Sequence, residues 1–272
     1  MISTSCLAMS PANPEPGIDR DTLSVWFASP SDAFVEDEKA GYQAMISDDE
    51  RTRLASLRFP QDRREYLVAH VLTRKALSHY HPIPPDAWRF RHNPYGKPSI
   101  DPDCGLCFNL AHTSHLTVCL ISQRGEVGVD VEPHGRGDEI LEIATTVCSL
   151  TELAQIEALE KSQRADYTLT LWTLKEAYVK AQGKGFSLPL KTISFLRDGA
   201  AGFRLQVQSS EKKAPTDCRF CLIDHKGHRI AIVSDARGNP KAELWEVASL
   251  LDPPTQLLGA RPVFYPRGQA LA

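Results

Sequence analysis

Apolar residues in this chain follow two periods, and the two alternate from one end to the other. LSVWFAS (23 to 29) is apolar enough for a strand. SDDE at 47 to 50 has the Ser-x-x-Glu spacing of a capping box, so a helix opens over ERTRLASLRF. In RREYLVAHVLTRKALSHY (63 to 80), Leu67, Val71, Leu72 and Leu77 form one apolar stripe with the basic residues off it, which predicts a longer helix. HPIPPDAW ends it. WRFRHNPYGKPSI then reads as a short strand, a turn at Asn93 to Pro98 and a return. CFNLAHTSHLTVCLIS (107 to 122) gives strand segments around a polar break at His112 to His115, and EVGVDVEP (126 to 133) gives another strand.

The second half repeats that order loosely. Ser149 and Glu152 make a second capping box ahead of LTELAQIEALEK, and a further helix runs from about 166 to 182, with Gly183 supplying a left-handed cap. KTISFLRD, GFRLQVQS, CRFCLID and RIAIVSD read as strands, with HKGH as a hairpin turn. The fold expected is α+β: two similar halves in a pseudo-twofold arrangement, 21–124 and 125–249, meeting near 123 to 126 with a ligand crevice between them. Residues 1–20 are expected as a loose polar tail, and the Pro-rich 250–272 as an extension draped on the surface.

Composition narrows the class. A chain of 272 residues that is 42% hydrophobic can bury a proper core. No apolar run is long enough to span a membrane, and the N-terminus lacks a secretory pattern, so a cytoplasmic location is expected. A net charge of −3 gives no overall field for nucleic acid or an anionic membrane. Seven Cys without an export signal fit free thiols. Cys104/Cys107 and Cys218/Cys221 have zinc-like CxxC spacing, but CRFCLID reads as a strand, where residues three apart face opposite ways, so core packing accounts for them better.

The chemistry concentrates in two stretches. GVDVE (128 to 132) puts Asp130 and Glu132 on one face of a strand, where two like charges suit a divalent cation or, alternatively, a solvated strand end. WTLKEAYVKAQGKGF (172 to 186) presents Trp172, Glu176 and Lys180 one helical turn apart, with Lys175 beside them: a cation ligand next to anion-binding ammoniums, or an ordinary surface Glu–Lys pair.

Together the two stretches closely resemble the 4′-phosphopantetheinyl transferases of the surfactin-synthetase-activating type, whose signature is G-[IV]-D-[IV]-E followed by W-x-x-K-E-[AS]-x-x-K-x-x-G-x-G. PYGKP (94 to 98) and FNLAH (108 to 112) look like two further motifs of that family, in the right order, and the likeness covers roughly residues 42 to 235. The resemblance implies transfer of the phosphopantetheine arm of coenzyme A to a serine of an apo acyl, peptidyl or aryl carrier protein, releasing adenosine 3′,5′-bisphosphate. It implies Mg²⁺ on Asp130, Glu132 and Glu176. Lys180 would meet the pyrophosphate and the departing group, and Glu176 or a metal-bound water would deprotonate the serine. Lys97 and His112 resemble the 3′-phosphate contacts, Lys175 would add a charge, and Arg51 and Arg64 match the basic stretch near the nucleotide. Residues 134 to 155 would face the carrier, and the enzyme would act as a monomer. One departure is Ala111, where the family often has Ser before the histidine; Thr113 or Ser114 could replace the hydroxyl. The same three acids would also serve a Mg²⁺-dependent phosphodiesterase or nuclease, and a chain without catalysis could still bind carrier proteins.

Overall fold

Both capping boxes form, and each starts a short helix that leads into a long one. The computed structural model describes residues 17–199, 202–208, 218–235, 240–257, 262, 264 and 269–271. Strand β1 (Thr22–Ala28) is followed by α1 (Lys39–Ala44), then α2 (Asp48–Ser56) and α3 (Pro60–Tyr80). Ser47 caps α2 by accepting from the Glu50 N–H while the Glu50 carboxylate accepts from the Ser47 N–H. The hairpin β2 (Phe90–His92) and β3 (Pro98–Ile100) leads to β4 (Cys107–His112) and β5 (Thr117–Ser122).

The second half opens with β6 (Val127–Pro133), α4 (Gly137–Glu142) and α5 (Ala144–Val147). Ser149 and Glu152 then box the start of α6 (Leu150–Glu157), and α7 (Lys161–Gln182) ends at Gly183 with φ 61°. Strands β7 (Ile193–Arg197), β8 (Phe203–Gln208), β9 (Arg219–His225), β10 (His228–Ser234), β11 (Lys241–Val247), β12 (Thr255–Gln256) and β13 (Gln269–Leu271) follow. The β9–β10 turn is made by Lys226 and Gly227, both with positive φ.

Period-2 alternation along the strands builds the layers. In β1, Trp26 and Ala28 pack with Leu67, Val71 and Leu72 of α3, whereas Leu23, Val25 and Phe27 face the other way. There they meet Val127, Val129 and Val131 of β6 and Ile230 and Ile232 of β10. The opposite face of β10, Ala231 and Val233, packs on α7. The order of layers is therefore helix, sheet, sheet, helix, with the first sheet running β12-β11-β1-β5-β4 and the second β6-β10-β9. A third sheet, β13-β8-β7, flanks α7.

Three expectations about boundaries change. Strand β11 lies inside the span 125–249 yet pairs in parallel with β1, so the second half returns its last strand to the first sheet. Its apolar positions Leu244 and Val247 cover core that β1 alone leaves open. The tail expected over 1–20 is tied down at its end, because Ile18 is buried in the first core; residues 1–16 lie outside the described residues. The C-terminal extension does not only drape: Leu250 is buried, Lys75 donates to the carbonyls of Leu250 and Asp252, and β12 and β13 add to two different sheets. Among the described residues no helix is long and apolar enough to cross a membrane. Cys218, just before β9, and Cys221 within it are both buried and belong to different cores.

Candidate active site

The site begins with a backbone contact. A Cβ on Gly128 would lie 2.0 Å from the Ala177 carbonyl oxygen and 2.4 Å from the Ala181 nitrogen, so only glycine lets β6 lie against α7 this closely. Two residues further along the same face of β6 is Asp130, and two beyond that Glu132. Both acids are thus held against the helix that carries Trp172, Glu176 and Lys180.

Asp130 Oδ1 accepts from Lys180 Nζ at 2.7 Å. Asp130 Oδ2 is buried with no hydrogen-bond partner, an expensive state for a carboxylate oxygen. Burial pushes the Asp130 carboxyl up to about 7; Lys180 opposes this, and the charges of Glu132 and Glu176 add to it. Glu132 accepts from Trp172 Nε1 at 2.8 Å through one oxygen and from Arg136 Nη1 at 2.6 Å through the other. Burial also raises Glu176, against Lys180 and with help from Glu132.

These acids feel one another, and the unpartnered Oδ2 is the kind of hard oxygen a divalent cation takes. The donor chemistry fits such an ion. The acids are not a finished chelate, however: among the described residues no three His, Cys, Asp or Glu side chains gather closely enough to share one. The reason is local, since Trp172 and Arg136 hold both oxygens of Glu132 and Lys180 stands on Asp130.

Glu176 and Lys180 face a crevice of about 510 Å³ between the halves. Its first-half wall is Tyr95 to Pro98 with Asn109 and Leu110, and its far wall includes Val147, Val179 and Leu188 to Lys191. Pro98, Asn109 and Leu110 also line a hollow of about 790 Å³ in the first half, which reaches Tyr66, His70, Arg74, Arg89 and His112. Asn109 ties the halves together by accepting from the Val129 N–H at 2.8 Å.

His112 lies in the hollow, as its place on β4 requires. The protein packed around it lowers its pKa; Glu65 opposes, while Lys180 and His70 add. Ala111, one residue earlier, faces the core between the sheets, so a hydroxyl there would point away from the hollow. Thr113 does not replace it, because its Oγ1 is engaged by the N–H groups of His115 and Leu116 and pairs with His228.

Other expected contacts move. Lys175 is fully buried: its ammonium pairs with Glu152 at 2.5 Å and donates to the carbonyls of Val147 and Leu190. It cannot meet a ligand in the crevice, because it leaves α7 on another side from Lys180. Arg51 and Arg64 line a separate hollow behind α2 and α3, where Arg51 donates to the Gln43 and Ile46 carbonyls and Arg64 lies over Phe34. Lys97 reaches the crevice, but its ammonium donates to Glu126, at 2.5 Å, and to the carbonyls of Val127 and Ala181. All three of its protons are used. With Asn93 donating to the Gly183 carbonyl, it clamps the β2–β3 turn onto the end of α7. His70, Arg74, Arg89, Arg136 and Asn109 were not expected at the site; only the place of Asn109 inside FNLAH marked it in the sequence.

Residues 126–233 match the family described as the 4′-phosphopantetheinyl transferase superfamily, and residues 35–124 match 4′-phosphopantetheinyl transferase, N-terminal. Over 199 residues the chain is 30% identical to 4′-phosphopantetheinyl transferase Sfp of Bacillus subtilis (strain 168), covering 72% of this chain and 85% of that protein. The chain belongs to the 4′-phosphopantetheinyl transferase superfamily. It is an enzyme of that family, a phosphopantetheinyl transferase. A putative 4′-phosphopantetheinyl transferase of Synechocystis sp. is 34% identical over 149 residues, 54% of this chain and 61% of that one. Holo-[acyl-carrier-protein] synthase of Thermotoga maritima overlaps 43% of this chain and 67% of its own at 21% identity and a TM-score of 0.35, too little to argue from. The two family matches abut at 124–126, where the sequence places the junction of the halves.

Proposed function

We propose that this transferase moves the 4′-phosphopantetheine arm of coenzyme A onto a serine of an apo carrier protein, with Mg²⁺, and releases adenosine 3′,5′-bisphosphate. The observation that carries this is the Asp130–Lys180 pair with its unpartnered oxygen, whose Lys180 lines a crevice between the two halves together with Glu176. Asp130, Glu132 and Glu176 would hold the Mg²⁺, and the ion would supply charge compensation for the pyrophosphate. Lys180 would turn from Asp130 to the phosphates and stabilise the leaving bisphosphate. Glu176, whose proton affinity is raised by burial, is the base we assign to the carrier serine. The serine oxygen then attacks the β-phosphorus as the bond to the bridging oxygen breaks.

The nucleotide would lie in the first-half hollow, reached by His112, while Lys97 keeps the β2–β3 turn in place. The carrier would approach over residues 134 to 155, where Ile143 and Leu150 are exposed apolar side chains. One chain supplies both walls of the crevice, so we assign the activity to a monomer.

Mass spectrometry tests the reading. Incubated with coenzyme A, Mg²⁺ and an apo carrier protein, the enzyme should add one phosphopantetheine arm to the carrier, and a chelator should stop it. Cleavage of coenzyme A with the carrier unmodified would instead mark a phosphodiesterase.

A further inference from the structure

Both oxygens of Glu132 are taken, and the two donors differ in kind. Trp172 Nε1, a neutral group on α7, donates to Oε1 at 2.8 Å, and Arg136 Nη1 donates to Oε2 at 2.6 Å. A guanidinium stays charged at any working pH, so Arg136 is a standing counter-ion for an acid that is only 8% exposed. The fold puts it there. Pro133 closes β6, and the single helical turn His134–Arg136 brings the guanidinium back over the acid four residues before it. Gly137 lets that turn lie on α7, since a Cβ there would press on the Ala165 carbonyl at 3.1 Å.

Arg136 does not depend on Glu132 for its own place. Its Nη2 and Nε donate to the two oxygens of Glu139, at 2.8 and 3.2 Å, which makes a forked pair on the first turn of α4. Giving up Glu132 would cost the guanidinium one bond of three and leave Nη1 at a place already open to water, because the Arg136 side chain is 35% exposed. Glu132 is in the opposite position: its side chain is 10% exposed, so it needs another cation before it can release this one. Glu139, 65% exposed, keeps the arginine tethered either way.

We propose that Arg136 is a positioning residue that serves as a displaceable counter-ion: it holds Glu132 in place and yields Oε2 to the divalent cation, while Glu139 retains the guanidinium. This rests on the function proposed above, in which Glu132 binds Mg²⁺. The affinity of the site for the ion is then set by a competition within the chain, which Arg136 opposes and Glu139 favours.

Calorimetric titration of Mg²⁺ into the enzyme saturated with coenzyme A, with no carrier present, tests this. Arg136→Gln leaves Glu132 a neutral donor and is expected to tighten Mg²⁺ binding about fivefold, the worth of one half-exposed ion pair. Most of that gain should persist in about 0.5 M salt, which screens distant charges far more than a contact. Glu139→Gln should weaken Mg²⁺ binding, because the freed fork of Arg136 can then close on Glu132. Unchanged or weaker binding in Arg136→Gln overturns the proposal, and so does a gain that disappears in salt. The unmutated enzyme gives a second reading: in a crystal structure with Mg²⁺ and coenzyme A, Arg136 should have left Glu132 and remained on Glu139. An ion bound with the Arg136–Glu132 bond intact overturns the proposal. An unmutated enzyme that binds no Mg²⁺ would instead overturn the role assigned to the three acids.

Discussion

The two halves use one device and leave it in different states. In each, a Ser-x-x-Glu box starts a short helix, and the box glutamate goes on to neutralise a buried cation on the long helix that follows: Glu50 with Arg74 on α3, Glu152 with Lys175 on α7. In the second half the device is sealed. Glu152 and Lys175 are both fully buried, Glu152 also accepts from the Phe195 N–H, and Lys175 is filled by two carbonyls. In the first half the same glutamate has His70 as a further partner, and that ring opens onto a hollow. A saturated polar network fixes structure, and one with an unused ring nitrogen can take a ligand. The second half places its own incomplete group between β6 and α7, at Asp130 and Lys180.

The sharpest way to break this contrast is at Asp130. Asp130→Asn is expected to lower transfer to the carrier by at least about a thousandfold while the denaturation midpoint holds or rises, because a buried oxygen without a partner is replaced by a neutral group. Retained turnover would remove Asp130 from the chemistry. Lys175→Met should do the opposite kind of damage. It leaves the Glu152 charge buried without its cation and should cost about 3–5 kcal/mol in denaturant unfolding, much of it recovered when Glu152→Gln is added. Lys180→Met should abolish transfer too, but it leaves the buried Asp130 carboxyl without its cation. Because burial already raises that carboxyl, it can take up a proton instead, and a stability loss smaller than that of Lys175→Met is expected.

Glu50 gives the pH test. Burial alone would raise its carboxyl, but hydrogen bonds from His70 and Arg74, with the Ser47 N–H, outweigh that and bring it to about 2 from 4.5. A carboxylate depressed on folding stabilises the protein above its unfolded value and stops doing so as pH falls through the folded one. That contribution, on the order of 3 kcal/mol, should be complete above about pH 5 and disappear towards pH 2. Glu50→Gln should flatten the acid limb of the stability curve, measured by urea unfolding across that range. An unchanged acid limb would mean that the first-half network is not held by this charge.

Much of the architecture was legible because it depends on local spacing. The two capping boxes, the Gly183 cap and the HKGH hairpin turn are each set by a few adjacent residues. So was the shared face of Asp130 and Glu132, which follows from the two-residue period of a strand. The return of β11 to the first sheet was not legible, since KAELWEV carries no mark of its partner some two hundred residues away. Nor was the fate of the lysines on α7. Five residues separate Lys175 from Lys180, about 140° around the helix, but amphipathic reasoning needs to know which side is covered, and here almost every side is.

By itself the sequence determined the elements, their order, the family and the acids proposed to carry the chemistry, because those depend on periods, caps and motif residues within a few positions of one another. Only the tertiary structure decided which charges are free to act. Lys97, Lys175, Arg51 and Arg64 carry the same charge as Lys180, but Lys180 pairs with Asp130 beside the crevice, whereas the ammoniums of Lys97 and Lys175 are filled by carbonyls and a carboxylate and Arg51 and Arg64 turn to carbonyls and an aromatic ring in a separate hollow. The same packing turned His70, in sequence an unremarkable helix residue, towards the hollow beside His112. Whether a charged group binds a ligand is settled by what desolvates and neutralises it, and those neighbours are assembled only when distant segments pack together.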